Sequence, residues 1–155
     1  MDSRLNRPIT QEEIETYQQD GVVCLRKFFD SDWIEHLRKM VDEDMKTPSP
    51  MCKNVDKDKE HGGFFFDTFL SHHMDGFDRA VRESPGAEIA GRLMQSNKVN
   101  LLFDQLLIKD PGATTRTVWH HDATYWPVAG DQISTMWLAL DPVTHETGAV
   151  EYIKG

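Results

Sequence analysis

Hydrophobic positions recur at helical spacing in the first half of the chain and alternate in the second. Thr10 followed by Glu13 makes a capping box and predicts a short helix to about Gln19, with Ile14 and Tyr17 on one face. Asp20-Gly21 stops it, and Val22-Val23-Cys24-Leu25 reads as a buried strand in which Cys24 is a small hydrophobe. Asp30 or Ser31 caps a second helix over roughly 32–45. Its apolar residues Ile34, Leu37, Val41 and Met45 form a stripe opposite a charged face. Residues 46–63 carry Pro48, Pro50, a charged run at 53–60 and Gly62-Gly63, which predict a loop. That loop is either a solvated connection or a lid over a substrate site. Phe64, Phe65, Phe66 and Phe69 follow, then His72-His73. Adjacent histidines point apart on a strand and lie about 100° apart on a helix, so this pair reads as surface or loop.

Pro85-Gly86 opens a third helix to about Ser96, with Ala90, Leu93 and Met94 inward. From 99 to 109 the chain alternates. Leu102, Asp104, Leu106 and Ile108 share one face, while Phe103, Gln105, Leu107 and Lys109 share the other. Pro111-Gly112 turns the chain, and strand candidates follow at about 117–122, 132–140 and 148–153. The pattern predicts an α+β fold in a single domain, 1–155, with 1–98 mainly helix and loop and 99–155 the first core strands. No internal repeat or low-complexity tract interrupts it.

Composition narrows the partners. The 155 residues are 39% hydrophobic and 28% charged, which suits a globular domain with a real core. Acidic residues outnumber basic ones 26 to 17, for a net charge of −9, which argues against a nucleic-acid backbone as partner. No basic amphipathic helix points to a membrane surface, and no stretch approaches 18 uninterrupted apolar residues. Cys24 and Cys52 make neither a disulfide framework nor a CxxC zinc motif. Residues 1–9 lack the apolar core of a secretory signal, so a reducing cytoplasm is the expected compartment.

The concentrated chemistry lies at Trp119-His120-His121-Asp122. On an extended strand His120 and Asp122 share a face and His121 points the other way. A neutral imidazole beside a carboxylate supplies two of the three ligands in the facial triad of non-haem Fe(II) oxygenases, leaving open positions for a cosubstrate and O₂. A lone HxD pattern is weak by itself. Trp119, Tyr125 and Trp126 flank it, placed to wall off a dry pocket and equally readable as plain core aromatics.

The segment Trp119-His120-His121-Asp122-Ala123-Thr124-Tyr125-Trp126-Pro127 resembles the W-H-x-D-x-x-Y-W-P signature of the phytanoyl-CoA dioxygenase family. Met136-Trp137-Leu138-Ala139-Leu140-Asp141-Pro142 resembles the strand that follows it there. Glu146-Thr147-Gly148 through Lys154-Gly155 resembles the family's E-x-G-x-L-x-x-x-P-G run, with Lys154 in place of the usual proline. Asp20-Gly21-Val22-Val23-Cys24-Leu25 between two helices is similar to an element near the family's start. The resemblance implies N-terminal helices packed on a double-stranded β-helix, or jelly-roll, core. It also implies an Fe(II)- and 2-oxoglutarate-dependent dioxygenase that hydroxylates a small organic substrate with O₂, releasing succinate and CO₂.

Carried over by position, His120 and Asp122 are metal ligands and Trp137 and Gln105 contact 2-oxoglutarate. An aspartate at 122, where a halogenating relative would have an open position, favours hydroxylation. The family's second histidine ligand and its 2-oxoglutarate-binding arginine match positions beyond Gly155. His145 falls in a turn, and His72 and His73 precede the core. These residues therefore read as the N-terminal part of a longer protein, with about half of the core strands. The competing expectation is a non-catalytic jelly-roll protein, or an inactive fragment lacking that histidine and arginine. A structural-metal module is disfavoured, because no four-ligand N/S cluster is present.

Overall fold

A computed structural model describes residues 4–55, 62–113 and 115–155. Helix α1 spans Gln11–Asp20 and begins with the expected capping box. The Thr10 hydroxyl accepts from Glu13 N, and the Glu13 carboxylate accepts from Thr10 N. It ends at Gly21, whose φ of 71° is the left-handed conformation that glycine adopts without a Cβ penalty. Helix α2 spans Ser31–Lys46, and the Asp30 side chain caps it by accepting from Trp33 N at 2.9 Å.

The run 22–25 is extended but pairs with no strand. Val23 and Leu25 pack on a small core of Phe28, Ile89 and Leu93, while Cys24, pointing the other way, is exposed. Period-two alternation puts neighbours on opposite sides, which overturns the expected burial of Cys24.

The loop expected at 46–63 contains a short strand, β1, at Lys53–Val55, and its 56–61 part lies outside the described residues. Strand β2, Phe64–Thr68, pairs antiparallel with β1 (Val55 opposite Phe64) and with β3, Gln105–Lys109 (Thr68 opposite Gln105). The sheet order is β1-β2-β3. Alternation holds on it: Phe65, Asp67, Leu106 and Ile108 turn inward, while Gln105, Leu107 and Lys109 turn outward.

A 3₁₀ turn at Leu70–His72 leads into helix α3, Asp75–Glu83, which the pattern did not predict. Phe77, Ala80 and Val81 stand at helical spacing among its charged residues, and Phe77 and Ala80 are the buried ones. Helix α4 spans Gly86–Leu93, ending one turn before the expected limit. Helices α2 and α3 cover the inner face of the sheet and enclose Leu37, Met40, Phe65, Leu70, Phe77, Ala80 and Leu106. Burying each of these leucine, methionine and phenylalanine side chains stabilises by roughly 1.5–3 kcal/mol.

Among the described residues the architecture is α+β, with four α-helices and a three-stranded antiparallel sheet. The expected strand over 99–109 forms only at 105–109. Among the described residues the candidates at 117–122, 132–140 and 148–153 have no ladder partner and are not strands. An apolar alternating segment becomes a strand only when a neighbouring backbone satisfies its N–H and C=O groups. No helix among the described residues is long and apolar enough to cross a membrane.

Candidate metal centre

Strand β3 delivers the chain to the site. Beyond Lys109 the Asp110 carboxylate accepts from Gly63 N at 3.0 Å, and Ala113 N donates to Asp110 O at 3.0 Å, closing the Pro111-Gly112 turn. Residues 115–121 carry no regular secondary structure, and His121, in extended backbone, leads into a second 3₁₀ turn at Asp122–Tyr125. The His121 carbonyl accepts from Thr124 N at 3.3 Å and from Thr124 Oγ1 at 2.7 Å, which sets the start of that turn. Trp126 leaves it with its ring edge-on to Phe103 at 6.0 Å, and Phe103 in turn packs on Phe69 at 5.9 Å. An aromatic chain thus anchors the turn to the approach of β3.

His120 and Asp122 are therefore brought together as an irregular segment enters a 3₁₀ turn, where a continuous strand was expected. Nδ1 of His120 lies 2.7 Å from the Val118 carbonyl oxygen, and Nε2 lies 3.1 Å from Asp122 Oδ1. Both partners are acceptors, whereas a neutral imidazole offers one N–H and one lone pair. With Nδ1–H donated to the shorter contact, the Nε2 lone pair and the carboxylate converge on a gap that a cation, proton or metal ion, satisfies. Two ligand atoms at about 2.1 Å from a first-row divalent ion and at right angles stand about 3.0 Å apart. The observed separation fits a chelating pair.

Thr135 Oγ1 donates to the other carboxylate oxygen, Asp122 Oδ2, at 2.7 Å. Tyr125 stands edge-on to His120 at 6.0 Å. Burial first, and then the Asp122 charge, push the Tyr152 hydroxyl above its ordinary pKa, although the residue as a whole is 56% exposed. Thr135 and Tyr152 join the neighbourhood of the motif without having been singled out in the sequence. The usable signal for Thr135 is its place two residues before Trp137, which puts both on one side of an extended segment.

The remaining expected site residues are dispersed. Gln105 starts β3 on its outward, exposed face, and Trp137 is 43% exposed; among the described residues neither side chain hydrogen-bonds to the pair. His145 is exposed and contacts Glu151 at 3.3 Å. His72 stacks on Phe69 at 5.7 Å, and His73 follows it. Among the described residues no group of three His, Cys, Asp or Glu side chains converges as a metal set. Trp119 and Tyr125 are 64% and 72% exposed, so the expected dry wall is not closed by them. Trp126 alone of the three is half-buried.

The family model for phytanoyl-CoA dioxygenase (PhyH) matches residues 17–155. Comparison with curated proteins and with solved structures gave no significant match.

Proposed function

We propose a function from one premise: the chain belongs to the phytanoyl-CoA dioxygenase family. The activity we infer is that of an Fe(II)- and 2-oxoglutarate-dependent dioxygenase hydroxylating a small organic substrate, with His120 and Asp122 as two of the iron ligands. The observation that carries this reading is the 3.1 Å approach of Nε2 to Oδ1 within the matched residues. Bound iron supplies the redox chemistry with O₂ that converts 2-oxoglutarate to succinate and CO₂ and leaves a hydroxyl on the substrate.

Each residue has a defined part. The Val118 carbonyl holds the hydrogen on Nδ1, which leaves Nε2 as the donor atom. Asp122 Oδ1 offers the adjacent anionic ligand. Gln105 and Trp137 are assigned to 2-oxoglutarate by their match to the family motif. In this reading His120 and Asp122 belong to a jelly-roll catalytic fold. A cytoplasmic setting goes with it.

A non-catalytic jelly-roll protein is the second reading. It is favoured by the side chains of His120 and Asp122, 35% and 42% exposed, and by their standing as a pair, not a triad, among the described residues. One experiment separates the two. Fe(II) and 2-oxoglutarate are added anaerobically to full-length protein, and the visible spectrum is recorded. The expected result is a weak charge-transfer band that is lost in His120→Ala and Asp122→Ala. Absence of the band from the intact protein would sink the oxygenase reading.

A further inference from the structure

We infer that Thr135 is a positioning residue for Asp122, holding Oδ2 so that Oδ1 is presented to the metal beside His120 Nε2; this rests on the metal-binding reading above.

A carboxylate on a short side chain turns readily about its last torsion, whose preference is broad and two-fold. Unless something distinguishes its oxygens, either can face His120. The Thr135 hydroxyl has one hydrogen to give, and it gives it to Oδ2 at 2.7 Å. That is the length of a charge-assisted O–H···O⁻ bond, roughly twice as strong as one between neutral groups. The opposite oxygen, Oδ1, is the one that stands 3.1 Å from Nε2. The two contacts together define the whole orientation of the carboxylate.

The bond also spans the chain. Asp122 opens the second 3₁₀ turn, while Thr135 lies thirteen residues on in a separate segment without regular secondary structure. His120 is oriented from its own side by Val118, through Nδ1. Each member of the pair therefore has one contact that leaves a single ligand atom facing the gap: Val118 for His120 and Thr135 for Asp122. Because the Asp122 side chain is 42% exposed, Thr135 replaces a water on Oδ2 with a fixed donor.

The test uses Mn(II), a redox-silent divalent ion, titrated into full-length protein and followed by electron paramagnetic resonance. Wild type is compared with Thr135→Val, Thr135→Ala, Thr135→Ser and His120→Ala. Removing a partner of a ligating carboxylate typically weakens metal binding about 10–100-fold. The expectation is such a loss in the Val and Ala variants, with recovery in Ser, whose hydroxyl can be supplied from the same position. The visible spectrum of the Co(II)-loaded protein should shift in Val and Ala but not in Ser, a change that a merely structural role would not produce. Wild-type Mn(II) affinity in the Val and Ala variants, with binding still lost in His120→Ala, overturns the role of Thr135 and leaves the metal reading standing. Mn(II) binding that is absent from wild type, or indifferent to His120→Ala, overturns the metal reading and this inference with it.

Discussion

Asp44, near the end of α2, and Asp67, on β2, lie close together in the interior, where the two residues are 1% and 0% exposed. Asp67 accepts from Ser49 N, Ser49 Oγ and Thr68 N, whereas Asp44 Oδ2 has no hydrogen-bond partner among the described residues. Burial, followed by the Asp67 charge, raises the Asp44 pKa from 3.8 to about 6. The folded state then holds a proton that the unfolded state has lost. Stability from this group is therefore full below about pH 4 and is lost as pH rises through about 6.

At about 1.4 kcal/mol per pKa unit the effect is of the order of 2–3 kcal/mol. Asp44→Asn, neutral at every pH, should gain on wild type by that order between pH 4 and 7 in urea denaturation. A difference that does not change with pH would contradict the raised pKa of Asp44. Glu13 runs the other way: its hydrogen bonds to Arg7 hold its pKa down to about 2, so its stabilisation is present above 4.5 and lost only as pH falls toward 2.

His121 sits between the two proposed ligands, is exposed, and lends the site only its carbonyl. His121→Ala should leave Mn(II) affinity within about twofold of wild type in full-length protein, while His120→Ala abolishes binding. Equal losses in the two variants, measured by the same resonance titration, would show that both rings reach the metal.

Gly76, in the first turn of α3, brings that helix against Met40 of α2, and its carbonyl pairs with His36 Nε2 at 2.8 Å. A Cβ at this position would fall within the Met40 side chain, which is 7% exposed. Gly76→Ala should therefore destabilise by about 1–3 kcal/mol through overpacking. Chemical denaturation of the double variant with Met40→Ala provides the check. The alanine at 76 should cost less once the methionine is gone, and strict additivity would rule out the steric explanation.

The sequence by itself determined what closes within a few residues. Helix hydrogen bonds run from one residue to the fourth before it, so Thr10 with Glu13, Gly21, Asp30 and the stripe including Leu37 were enough to place α1 and α2. The inward–outward alternation of β3 and the family signature at Trp119 to Pro127 were equally legible. Tertiary structure decided whatever needs a partner from elsewhere in the chain. Phe64, Phe65 and Phe66 became the middle strand only because Val55, Asn54 and Lys53 lie on one side and Lys109, Ile108 and Leu107 on the other. Segments such as 132–140, apolar but with no ladder partner among the described residues, did not become strands. The candidate centre divides in the same way. Its residue types were readable from the motif, but the turn that brings His120 to Asp122, and the hydroxyl that Thr135 gives to Asp122, depend on a chain path that no local pattern encodes.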